Sequence, residues 1–377
     1  MIYKNALITT KDEQFLGWIE IDENHFIKSI NHGQTQLEGY DCQNKMIMPA
    51  FIDSHIHGGY NLSFNDFDNF ENYHDFLINL KAEGVGAFVG ASVTAKLDQL
   101  KSALKPIKNL ISNHNDNLPQ MIGWYFEGPF ISKTKKGAHQ EDLIISLDEN
   151  FLLDLKEVFQ DLPIILTVAA EDQQNQKLIQ KYQNDFIFAL GHSDANYQEA
   201  KNVLLNGAKR ITHIYNAMSG FSHSQKGGIL NALFNKEFKN ELLIELIADG
   251  VHMRPDVINF TYQLFGANQL SLVSDALPAK GLKDGKYYLA NLAIDKRGNW
   301  FYLENTNTLA GSALKYNQLL KIFKDITNCS WTDLVKLSSY NSARNLNLAK
   351  CYGDLVVGQK AKFVIVDHDL NVIETII

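Results

Sequence analysis

Two histidines separated by a single residue, His55 and His57 in the run FIDSHIHGG, are the first residues of this sequence whose type and spacing could do chemistry. On a strand, positions i and i+2 point to one face, so both imidazoles would leave together. Gly58 and Gly59 follow and let the backbone turn. Asp53 shares the face and is expected to support the pair from behind. Alone the pattern is weak, because a buried histidine is more often a satisfied core residue. Other candidates stand after later apolar runs: Glu127 in MIGWYFEGPF, His192 in FIFALGHSD, His213 in RITHIYNAM, Asp249 and His252 in LIADGVH, and Asp275 in LSLVSDA. A carboxylate at a buried strand end is costly unless it is paired or bound to metal. His192, His213 and Glu127 make two imidazoles and one carboxylate, the donor set of a hydrolytic metal site with an open position. Asp275 reads as a turn or cap residue, or else as a general acid/base beside water activated by a metal. The loop KKGAHQ, with Lys135, Lys136 and His139, reads first as a solvated basic loop.

What must position these groups is a set of eight apolar runs: MIMPAFID, GAFVGAS, MIGWYFE, PIILTVA, FIFALG, RITH, LLIELIAD and LSLVSD. Helix-like segments lie between them, such as ENYHDFLINLKAEG, SLDENFLLDLKEVFQD and NYQEAKNVLLNGA. For the last of these, Asp194 is the expected N-cap and Gly207 the stop. Alternating strands and helices predict parallel βα units, and eight of them predict a closed (β/α)8 TIM-like barrel, fold class α/β. The active site then lies at the C-terminal strand ends, where the candidate ligands fall. His192 and His213, 21 residues apart, are one strand–helix–strand step from each other. Both ends of the chain alternate apolar and polar residues with turn signals, and neither could bury a strand face alone. They are expected to pair into a small β-sandwich domain, residues 1–48 plus 352–377, around a barrel of residues 49–351.

Composition narrows the class. The chain has 377 residues, 45% hydrophobic and 21% charged, typical of a soluble globular protein. Its formal net charge is −8, which argues against sequence-independent nucleic-acid binding. No apolar run approaches the roughly 18 residues that span a bilayer, so no membrane association is expected. Three widely spaced cysteines suit a reducing compartment, and the opening residues lack the pattern of a signal peptide, so the expected location is the cytoplasm. The motifs GxSxG and GxxxxGK[ST] are absent, as is a strand–GxGxxG–helix unit.

Read in order, PAFIDSHIHGG, YFEGPFISKTKKGAH, ALGHSDA, THIYNAMSG, ADGVHMRP, LVSDALPAKGLKDGKYYLA and LAGSAL resemble the N-acetylglucosamine-6-phosphate deacetylases of the amidohydrolase superfamily. The resemblance covers about residues 48–315, and SSYNSARNLNL and GDLVVGQKAKFVIVD are similar to the family's closing segments. It implies a homodimer that hydrolyses the acetamide of N-acetylglucosamine 6-phosphate in amino-sugar catabolism and cell-wall recycling. It implies Glu127, His192 and His213 as metal ligands. His55 and His57 match a pair kept by members that hold a second ion, with Glu127 bridging. The cofactor is then one or two divalent ions, zinc first, with iron, manganese or cobalt as alternatives. Asp275 matches the catalytic aspartate, and His252 is expected to help the metal stabilise the oxyanion. Ala138, His139, Asn216, Ala217, His252, Leu309, Ala310 and Gly311 match substrate contacts.

One departure stands out. The family places an arginine, which grips the sugar phosphate from the neighbouring subunit, eight residues after the Asn of NAM. Here that position is Ser224, flanked by His223 and Lys226, the candidate replacements. Lys135, Lys136 and Arg254 are further candidates. The alternatives are a deacetylase of an unphosphorylated or differently substituted N-acetylamino sugar, another amidohydrolase acting on a cyclic amide, and a non-catalytic binding protein on the same barrel.

Overall fold

The computed structural model describes residues 1–113, 115–224, 227–238 and 242–377. Eight parallel strands form its centre. In chain order they are β1 Phe51–Ile56, β2 Val85–Ser92, β3 Gln120–Phe126, β4 Ile164–Val168, β5 Ile187–Leu190, β6 Ala208–Ile211, β7 Leu243–Leu246 and β8 Leu270–Leu272. Each pairs with the next, and a bridge between Ile56 and Ala276 brings the two ends of the sheet together. Every expected apolar run overlaps one of these strands. Strands covered on both faces read as continuous apolar runs, which is why they were visible.

Helices pack outside. They include Tyr73–Ala82, Leu97–Ser112, Glu149–Phe159, Gln173–Tyr182, Tyr197–Leu205, Pro255–Phe265 and Tyr316–Thr327. The helix Tyr197–Leu205 corrects one expectation: its N-cap is Asn196, not Asp194. The Asn196 side chain accepts from the N–H groups of Gln198 and Glu199, and Glu199 reaches back to the Asn196 N–H. This reciprocal box satisfies the open first turn that exposed Asp194 leaves alone.

The run MIMPAFID divides between two sheets. Met46–Pro49 belongs to a seven-stranded sheet with strands from both ends of the chain. It lies parallel to Ile2–Thr9 and antiparallel to Phe363–Val366, with Ile47 opposite Ile365. Tyr3, Ile8, Ile19, Ile47, Phe363 and Ile365 form an apolar cluster of their own there. A further four-stranded antiparallel sheet, Gly285–Leu289, Leu292–Arg297, Trp300–Leu303 and Leu309–Ser312, follows β8. Its last strand returns to the barrel mouth, where Ser312 bridges to Ala276.

One buried ion pair ties the segment leading into that sheet to the end of the helix Tyr73–Ala82. Lys280 Nζ lies 2.7 Å from Glu83 Oε2, and neither residue is solvent-exposed. Glu83 also accepts the Tyr316 N–H at 2.6 Å and the Tyr60 hydroxyl. Replacing one partner of a buried pair strands the other charge, so Lys280→Met is expected to cost about 3–5 kcal/mol. Guanidinium unfolding checks this, and Glu83→Gln/Lys280→Met should recover most of the loss. A Lys280→Met midpoint equal to wild type would show that the pair adds nothing.

Candidate metal centre

The expected ligands converge over the C-terminal end of the barrel. His55 and His57 leave β1, Glu127 follows β3, His192 follows β5, His213 follows β6 and Asp275 follows β8. His192, His213 and Asp275 have φ of +45°, +22° and +48°. Non-glycine residues rarely hold this left-handed conformation, which costs about 1–3 kcal/mol each and persists where the surroundings demand it.

Glu127, nearly fully buried, is the hub. Its Oε1 lies 2.7 Å from His213 Nε2 and 3.2 Å from His192 Nε2, and these two ring nitrogens are 3.2 Å apart. Its Oε2 lies 3.0 Å from His57 Nε2 and 3.8 Å from His55 Nε2, again a pair 3.2 Å apart. Asp275 Oδ1 adds a carboxylate oxygen 3.2 Å from His57 Nε2. One carboxylate therefore faces two donor sets, one with each oxygen.

The far ring nitrogens decide what the near ones offer. His57 Nδ1 sits 3.1 Å from the Ala91 carbonyl and His192 Nδ1 2.9 Å from the Lys135 carbonyl. His55 Nδ1 sits 2.9 Å from the Glu245 carboxylate. Carbonyls and carboxylates only accept, so each Nδ1 carries hydrogen and, in the neutral ring that a cation would bind, each Nε2 presents a lone pair. Lone pairs aimed at one another 3.2 Å apart, around a carboxylate, fit a divalent cation. His213 Nδ1 has no partner among the described residues.

His139 behaves differently. It lies 3.7 Å from Glu127 and would complete another donor group with His192. Yet its Nδ1 accepts the Thr94 N–H at 3.2 Å, so its hydrogen sits on Nε2. Burial, outweighing the nearby Glu127, pushes its pKa down to about 4. A neutral ring with Nε2–H offers a donor rather than the lone pair a cation needs.

The field at the centre calls for positive charge. Burial raises the Glu127 carboxyl, but the charge of His55 and the contacts with His139, His192 and His213 hold it well below the usual range. Burial lowers the His57 imidazole, but Asp275 and Glu127 lift it to about 9. His55 is likewise raised, with Glu245 and Glu127 overcoming burial.

A cavity of about 360 Å³ opens above these groups. Ala138, His139, Asn216, Ala217, His252, Leu309, Ala310 and Gly311 all line it. His252 Nδ1 is held 2.7 Å from Asp249 Oδ2, and Asp249 is itself fixed by the N–H groups of Val251 and His252. Gly311 has φ +126°, and a Cβ there would meet the Asp275 carbonyl at 2.6 Å. The cavity is lined by Lys135, whose Nζ lies 3.3 Å from Asp194, and by no arginine among the described residues. His223 is exposed and does not line it, and Lys226 lies outside the described residues. Asp53 touches no ligand: it accepts from the Ser274 hydroxyl and N–H at 2.5 and 3.1 Å, clamping the segment that carries Asp275.

Sequence reasoning missed Glu245. It lies within β7, fully buried, with Oε1 2.5 Å from the equally buried Arg210 Nε. Two opposite charges inside the neighbouring apolar runs RITH and LLIEL were the available signal.

The model of the Amidohydrolase family matches residues 46–377. Among curated proteins, the chain is 34% identical to the N-acetylglucosamine-6-phosphate deacetylase of Bacillus subtilis, over 100% of this chain and 95% of that one. It is 30% identical to the enzyme of that name from Mus musculus, over 90% and 84%. Among solved structures, the N-acetylglucosamine-6-phosphate deacetylase of Thermotoga maritima is 33% identical, with a TM-score of 0.88 over 100% of this chain and 98% of that one. A mutant of the Mycobacterium smegmatis enzyme in complex with N-acetyl-D-glucosamine-6-phosphate is 26% identical, with a TM-score of 0.92 over 100% and 97%.

Proposed function

The chain belongs to the amidohydrolase family, and from that premise we propose that it hydrolyses the acetamide of N-acetylglucosamine 6-phosphate to glucosamine 6-phosphate and acetate. The observation that carries the reading is the Glu127 hub, with Asp275 at its edge and a cavity sized for a sugar above it. The full-length relatives that bear this activity in their names support it.

His55, His57, Glu127, His192 and His213 would hold one or two ions, with Glu127 bridging in the second case. Zinc suits these donors, as do iron, manganese and cobalt. When bound, the metal lowers the pKa of a water and polarises the acetamide carbonyl. Asp275 takes a proton from the attacking water and returns it to the departing amine. His252, held through Nδ1 by Asp249, faces the cavity where the oxyanion develops. His139 donates from Nε2, and the backbone beside Ala217 and Gly311 shapes the sugar subsite.

The same reading treats residues 1–48 plus 352–377 as a small β domain on the barrel. It places the enzyme in the cytoplasm, in amino-sugar catabolism, which its three free cysteines suit. It makes the enzyme a homodimer, in which the loop of His223 and Ser224, absent from the cavity lining of its own chain, serves the neighbouring copy.

A second reading, deacetylation of an unphosphorylated sugar, is favoured by Ser224 and the lack of a described arginine at the cavity. Acetate release from N-acetylglucosamine 6-phosphate and N-acetylglucosamine separates the two. We expect kcat/KM to favour the phosphate ester by at least about tenfold, a difference of 1.4 kcal/mol. Equal values would mean that the change at Ser224 abolished phosphate recognition.

A further inference from the structure

We propose that Glu245, held by Arg210, is a positioning residue that fixes His55 as a ligand and so equips the His55–His57 set to take its own ion. The inference rests on the two-ion reading above. Glu245 Oε2 receives two donors, His55 Nδ1 at 2.9 Å and the His213 N–H at 3.1 Å. Its Oε1 faces Arg210 Nε at 2.5 Å. Arg210 is anchored in turn: Nη2 donates to the Ser54 carbonyl and hydroxyl at 3.1 and 2.6 Å, and Nη1 to Asn345 Oδ1 at 3.1 Å. Among the described residues the side chain at 245 thus meets only donors, and a carboxylate is the side chain that accepts from all of them. One carboxylate locks the His55 ring in the first donor set and the His213 backbone in the second.

The arrangement differs from that at the other ligands. His57 and His192 are oriented by backbone carbonyls, which no substitution removes. His55 depends on a side chain. A buried ion pair is a poor way to gain stability, since well-packed apolar residues are often as good. Here the pair sets a tautomer.

Glutamine at 245 exposes the logic. Its single oxygen cannot serve both Arg210 and His55. If the oxygen stays with Arg210, the amide NH2 faces His55 Nδ1, the ring hydrogen moves to Nε2, and the ligand lone pair is lost. Removing Arg210 as well frees the oxygen to turn to His55.

The test counts cobalt ions per chain by mass spectrometry, after titration of metal-free protein and dialysis. We expect two in the wild type, one in Glu245→Gln, two in Glu245→Gln/Arg210→Met and one in Glu245→Met/Arg210→Met, with the weakened site losing affinity by about 10–100-fold. The double variants carry the same charge and differ in whether His55 has an acceptor, so they decide the matter if Glu245→Gln fails to fold. Two ions in Glu245→Gln or in Glu245→Met/Arg210→Met would overturn the proposal, as would one ion in Glu245→Gln/Arg210→Met. A wild type that takes one ion would remove the two-ion reading and this inference with it. Ion counts do not depend on which amide is cleaved, so failure on the sugar substrate would leave them standing.

Discussion

Asp275→Asn yields a folded, metal-loaded protein whose turnover falls by about 10²–10⁴, the range for removing a general acid/base. The fold survives because the backbone, not the carboxylate, sets this residue in place. The Asp275 N–H donates to the His55 carbonyl at 3.0 Å, and its own carbonyl accepts the Ser312 N–H at 3.3 Å. Asparagine keeps the shape and can hold the left-handed φ of +48°. It also keeps an oxygen toward His57. What it loses is the capacity to accept a proton from water and return it to an amine. Circular dichroism, metal content and kcat on one preparation check the three parts of the expectation. Turnover within about tenfold of wild type, a barrier change of 1.4 kcal/mol, would remove Asp275 from the role.

The second large effect is expected at Glu127. Glu127→Gln should lose at least one ion and lower turnover at least about a thousandfold, a barrier change of about 4 kcal/mol. Both carboxylate oxygens are in use, Oε1 toward His192 and His213 and Oε2 toward His55 and His57. Glutamine replaces one of them with an NH2 group, which points hydrogens at one donor set and occupies the lone pairs a cation needs. Metal analysis after dialysis, set beside acetate release, measures both consequences. Full metal content in Glu127→Gln would mean that the histidines suffice and that the carboxylate is not shared.

Much of this was legible in the sequence, for reasons that can be named. The barrel strands stood out because both faces are covered and polar residues are squeezed to the strand ends. His55, Glu127, His192, His213 and Asp275 were visible as polar residues closing apolar runs. Glu245 was not, because an inward-pointing carboxylate inside LLIEL looks like one on the solvent face. Its partner lies 35 residues away on the neighbouring strand. The break inside MIMPAFID was hidden because both halves are apolar, although Pro49 marks the place where one ladder stops. The sheet of residues 285–312 alternates as KYYLANLAIDKRGNWFYL, with an Arg-Gly-Asn turn, a strand signal that sits outside the βα rhythm of the barrel. At the helix Tyr197–Leu205, Asp194 drew attention as a cap, while the Asn196–Glu199 spacing was the stronger signal.

The antiparallel pairing of Met46–Pro49 with Phe363–Val366 has a consequence for how the molecule is made. A strand that leaves the ribosome early gains one of its two neighbours, Ile2–Thr9, at once, and must wait some 300 residues of synthesis for the other. Until then MIMP offers a bare apolar edge, the kind of template on which nascent chains stick to one another. Assembly of the barrel can run ahead, but the edge is capped last. A chain stopped at residue 360 should therefore sediment with aggregates, even though every residue of the candidate metal centre has already been translated.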